Sequence, residues 1–162
     1  MPRRIDRIIS VSKQDEDEII FNIGEALQYE YAPKGIRYQA PYSRMGKELW
    51  IAVQYDLYNI ICDPKAKEPR LFIEELISGD VRDLGISIFT ILVSQLSIPA
   101  AIAIPIVALV LKAGLRKYCG LEPERPRRSY IEILSSKKNQ MEVVKKRKKN
   151  KDKPAQKRAS RR

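Results

Sequence analysis

Hydrophobic positions along the chain change their rhythm twice. In the first forty residues they come as the short runs EIIFNI and ALQYEY, β-branched and aromatic, followed by the Pro/Gly-punctuated APKGIRYQAP. Such runs bounded by turn residues predict a short β-hairpin between residues 18 and 40. From Ser43 the period becomes helical, because Leu49, Val53, Leu57, Ile60 and Ile61 recur at one-turn spacing until Asp63-Pro64 breaks it. This predicts a helix over about 43–62. A short second helix over about 69–78 follows, with Pro69 in its first turn, Leu71, Phe72, Leu76 and Ile77 on one side, and Gly79 just past its end. Asp80 is placed to cap a third helix.

The third helix enters GISIFTILVSQLSIPAAIAIPIVALVLKAGL, in which no residue from 86 to 111 is charged. This apolar segment occupies about 84–119. Read as one helix, 86–111 is about 39 Å long, against a hydrocarbon core of roughly 30 Å. Ser87, Thr90, Ser94, Ser97 and Ala101 then form one small-residue seam along which helices associate in lipid. Broken at Ser97-Ile98-Pro99, the segment is instead a helical hairpin. Ser97 then caps a fourth helix, Pro105 falls inside it, and Gly120 stops it. In that arrangement the Ser/Thr stripe faces water. The fourth helix is the difficulty, since a helix apolar all round must be enclosed on every side, and the preceding elements offer thin cover.

Charge alters the picture by its placement. The formal net charge is +11, but residues 1–84 hold 12 Lys+Arg against 15 Asp+Glu, while residues 112–162 hold 19 against 5. Residues 120–136 read as a linker. Residues 137–162 carry the dense run Lys145, Lys146, Arg147, Lys148, Lys149 and Lys151 with almost no large apolar groups, which predicts a disordered basic tail that contacts anionic lipid or nucleic acid. No aromatic residue follows Tyr130, so nothing in the tail indicates base stacking. The cations after the apolar run place the C-terminal side in the cytoplasm by the positive-inside rule. That topology exports residues 1–83, a small head domain whose first residues lack the continuous apolar stretch of a secretory signal.

Candidate chemistry narrows the function classes further. The chain has no histidine, which removes imidazole acid–base chemistry and the commonest metal ligand. No phosphate-binding glycine loop and no zinc-protease pattern occurs, and Asp15, Glu16, Asp17 and Glu18 read as a solvated acidic turn. Cys62 and Cys119 lie far apart without CxxC spacing and read as ordinary buried small residues, with no support for a disulfide. The head's aromatics, Trp50, Tyr55 and Tyr58 among them, read as packing.

The sequence thus predicts a mainly α, non-enzymatic protein without cofactor or metal. The preferred reading is a membrane-associated protein whose apolar segment inserts and self-associates while the tail holds to an anionic membrane surface. The alternative is a cytoplasmic helical adaptor with a buried apolar hairpin and a basic tail that binds nucleic acid or an acidic partner.

Overall fold

In a computed structural model of the chain, which describes residues 4–31 and 42–136, the two N-terminal apolar runs are helical. α1 spans Arg4–Ser12 and α2 spans Glu16–Tyr31. The reason α2 is not a strand pair lies in its spacing. Ile19, Ile23 and Leu27 stand four apart, which is a single stripe on a helix, and all three are fully buried. Glu16, Asp17 and Glu18 occupy its first turn, where negative charge favours the helix dipole. Residues 32–40 of the predicted hairpin lie outside the described residues.

α3, Tyr42–Ile61, packs against α2 at unusually close range. A Cβ on Gly24 would collide with the carbonyl of Tyr42, and one on Gly46 with the carbonyl of Ile20. Two facing glycines therefore set the separation of the two helices. The chain then makes a small antiparallel pair, β1 (Cys62–Asp63) with β2 (Glu68–Pro69), closed by Lys67 at φ 54°. Pro69 thus belongs to β2, and the short helix that follows, α4, is Leu71–Ile77.

α5, Val81–Ser94, begins as the capping pattern predicts, with Asp80 accepting from the Arg82 N–H at 3.0 Å. It stops at Ser94, and α6 is Ala100–Ala113. Ser97 does not cap α6. It takes a left-handed φ of 54° inside the connection, and Pro99 occupies the N-cap position. The predicted stop at Gly120 is also displaced, because Gly114 at φ 82° ends α6 and redirects the chain into α7, Leu115–Gly120. A last helix, α8, covers 130–136.

This break overturns the membrane-spanning reading. α5 and α6 are 14 residues each, or about 21 Å, well short of a roughly 30 Å hydrocarbon core. Among the described residues no helix is long and apolar enough to cross a membrane, so neither the transmembrane segment nor the membrane-associated location inferred from it is retained. The hairpin alternative fits. α6 is enclosed by α1, α2 and α5, and every residue from 102 to 110 is buried. Its missing cover is supplied by α1 and α2, the two helices that the N-terminal pattern concealed. Gly85 of α5 lets this cluster close, since a Cβ there would sit 2.8 Å from Ile5 Cδ1 and 3.4 Å from Leu111 Cδ1. One continuous apolar core runs from Ile5 to Ile133 and takes residues from every helix.

Candidate polyanion-binding arm

After α6 the chain becomes basic, and α7 is where that basic arm is anchored. Its inner face carries Leu115, Tyr118 and Cys119, all buried, while Arg116 and Lys117 are exposed. Three ties hold the inner face, two to α3 and one to β1. The Tyr118 hydroxyl donates to the Gln54 carbonyl at 2.9 Å, and the Tyr58 hydroxyl donates to the Cys119 carbonyl at 3.2 Å. The third is covalent: Cys62 and Cys119 form a disulfide, with Cα atoms 5.5 Å apart and both residues fully buried. The expectation of two independent cysteines is corrected here. They are 57 residues apart in sequence, and only the turn at Gly114, which sends α7 back along the end of α3, brings them together.

The Tyr118 ring lies 6.2 Å from that of Tyr58 and 6.5 Å from Trp50. Burial, with a smaller contribution from Tyr58, pushes the Tyr118 phenol far above the ordinary tyrosine range. Tyr58 is raised as well, first by burial and then by the charges of Glu122 and Asp63. These phenols are donors to backbone carbonyls and are kept neutral. Trp50, Tyr58 and Tyr118 pack together beside the clamp.

Beyond α7 the chain is tied to α3 again. Arg128 donates through Nε and Nη2 to Glu48 Oε1, the Nε bond being 2.9 Å, and Tyr130 and Ile133 of α8 enter the core. Burial, with a lesser effect of the Asp56 charge, raises the Tyr130 phenol, and burial alone raises the Asp56 carboxyl. Of the cations between 112 and 128, three have partners: Lys112 donates to the Gln14 carbonyl, Arg116 pairs with Glu74 at 3.3 Å, and Arg128 pairs with Glu48. Lys117, Arg125 and Arg127 are exposed and make no ion pair among the described residues. Lys145, Lys146, Arg147, Lys148, Lys149 and Lys151, together with the predicted disorder of their segment, lie outside the described residues.

The small-residue seam is divided. Ser87, Thr90 and Ser94 are on α5, Ser97 is in the connection and Ala101 is on α6, so they do not line one helix. Ser87 is half-buried, and Ser94, Ser97 and Ala101 are exposed. Thr90 returns its hydroxyl to the Ile86 carbonyl of its own helix at 2.8 Å. The acidic run around Asp15 opens α2, and no group of three or more Cys, Asp or Glu side chains that could hold a metal ion occurs among the described residues. Cys62–Cys119 is the feature that sequence reasoning missed, and cysteine spacing held no signal for it.

The chain matches no known protein family, no curated protein and no solved structure.

Proposed function

We propose that this protein is a non-enzymatic helical adaptor that binds nucleic acid phosphates through its C-terminal basic arm. The observation that carries the reading is the fixing of α7 to β1 by the Cys62–Cys119 disulfide and to α3 by two tyrosine hydrogen bonds, with Arg116 and Lys117 on the outer side. From that anchor the arm continues through Arg125 and Arg127 into residues 137–162, which hold 13 Lys+Arg against Glu142 and Asp152. Phosphates held by such cations release condensed counterions, so affinity arises from the salt term and not from base recognition. The helical body is the part available for a second partner, which makes an adaptor of it.

The test is binding of a 20-base-pair duplex of arbitrary sequence by the full chain and by a chain lacking 137–162, over a salt series. Each phosphate neutralised contributes about −0.9 to the slope of log affinity against log salt. The full chain is expected to show a steep slope, and the deletion to lose at least about three units of it. Equal slopes for the two chains reject the arm as the binding element. Binding that depends strongly on duplex sequence rejects backbone recognition.

A further inference from the structure

The outward face of α2 alternates carboxylates with aromatic rings. Glu18, Phe21, Glu25 and Tyr29 follow at spacings of three, four and four, which places them on one face, and all four are exposed, Phe21 by 41% and Tyr29 by 84%. Phe21 is steadied by an edge-on contact with Tyr42, ring centroids 5.4 Å apart. With Glu16, Asp17 and Glu30, α2 carries five carboxylates and no Lys or Arg. None of the five is in an ion pair among the described residues, whereas the three pairs that do form join other elements: Arg82 with Asp6, Arg116 with Glu74 and Arg128 with Glu48.

We propose that residues 137–162 of the same chain dock on this α2 face and compete there with nucleic acid for the basic arm. The chemistry is complementary at two levels. Lysine and arginine pair with Glu18 and Glu25, and between those pairs a guanidinium or ammonium group sits over the ring of Phe21 or Tyr29. Charge numbers agree, since the segment brings 13 Lys+Arg against two acids. Reach is ample. Residues 137–162 extend at most roughly 85–95 Å at 3.3–3.6 Å per residue, and they start at the end of α8, whose approach is tied to α3, the direct neighbour of α2. Individual surface ion pairs are weak, but a tethered segment meets its site at an effective concentration of about millimolar, which favours the chain's own arm over that of a second copy. The competition rests on the proposed nucleic acid binding; the docking itself does not.

Carbodiimide cross-linking of the full chain, which joins Lys to Asp or Glu at zero length, reads the docking without any nucleic acid. The monomer band is expected to contain peptides joining lysines of 137–162 to Glu18 or Glu25. These should fade as salt rises, because the contact is exposed to screening. The charge-removing variant E18Q/E25Q keeps both side chains' shape and should bind the 20-base-pair duplex roughly three- to tenfold more tightly at low salt, since apparent affinity rises with the fraction of arm that is unoccupied. The control E68Q/D83N makes the same change in net charge at exposed positions away from α2 and should stay within about twofold of the parent. Absence of α2 cross-links overturns the docking, as does their confinement to a dimer band, which would assign the face to another copy. Equal tightening by E18Q/E25Q and the control overturns the competition. If the parent does not bind the duplex at all, the adaptor reading fails, and the cross-links still decide the docking.

Discussion

Gly46 and Tyr118 show how much single positions decide in this small core. At Gly46 the obstacle to a side chain is the backbone of α2, the Ile20 carbonyl and the Gly24 N–H, neither of which can rotate away. Gly46→Ala should therefore destabilise at or beyond the upper end of the roughly 1–3 kcal/mol usual for overpacking. Gly120→Ala is the comparison, since nothing lies within 4 Å of its added Cβ. Urea midpoints of the two variants should separate clearly, and equal midpoints would show that α2 and α3 do not meet this closely. Tyr118 acts through its proton. Its phenol is held far above the ordinary value in the folded chain and returns to about 10 when unfolded. Its contribution to stability is complete below pH 10 and is lost as pH rises above it, because there the unfolded chain sheds a proton that the folded chain keeps. Stability should fall by up to about 1.4 kcal/mol per pH unit from this group alone. Tyrosinate absorbance should rise late for Tyr118 and together with unfolding, and Tyr118→Phe should flatten the decline. A fully early titration of all eight tyrosines would contradict the burial.

At the scale of elements, the clamp that fixes α7 to α3 and β1 is the feature with the largest expected effect. The disulfide closes a loop of 57 residues that contains α4, α5 and α6, so it restricts the unfolded chain across the whole apolar hairpin. The loop-entropy relation puts its stabilisation at about 4 kcal/mol. Cys62→Ala combined with Cys119→Ala should lose most of that in a denaturant titration. Both sulfurs are fully buried, so a reductant should act on the native protein only as fast as α7 opens. Thiol titration of the folded chain checks this: two thiols that react at once with a mild reductant present would show that α7 is not held. The elements also show what periodic patterns convey. α3 and α5 were legible because each has a long one-sided pattern and a recognisable boundary, Asp63-Pro64 for one and the Asp80 cap for the other. α2 reads as two strands when EIIFNI and ALQYEY are taken separately, because each is rich in strand-forming residues. Taken as one window, Ile19, Ile23 and Leu27 are a helical stripe.

Across the whole molecule, α6 ties the fold to the functional reading, because its enclosure decides between insertion and a core. Val107 is fully buried there, and Val107→Arg should cost about 3–5 kcal/mol as an uncompensated buried charge. The expected outcome is loss of helical circular dichroism and aggregation. A variant that stays folded would mean that α6 is less enclosed than described. The sequence by itself determined the helical class, the helix over most of 42–61, the start of α5 and the concentration of positive charge after α6. Each of these depends on residues near one another in the chain or on a sum of charges. What covers α6, how closely α2 meets α3, and the pairing of Cys62 with Cys119 were decided only by tertiary structure. They depend on the turn at Gly114, on two glycines in different helices, and on two helices whose apolar stripes have meaning only against a partner. A pattern read along the chain reports which face of a helix is apolar. It does not report which other face fills it, and for an apolar segment of this length that difference separates a membrane span from a core.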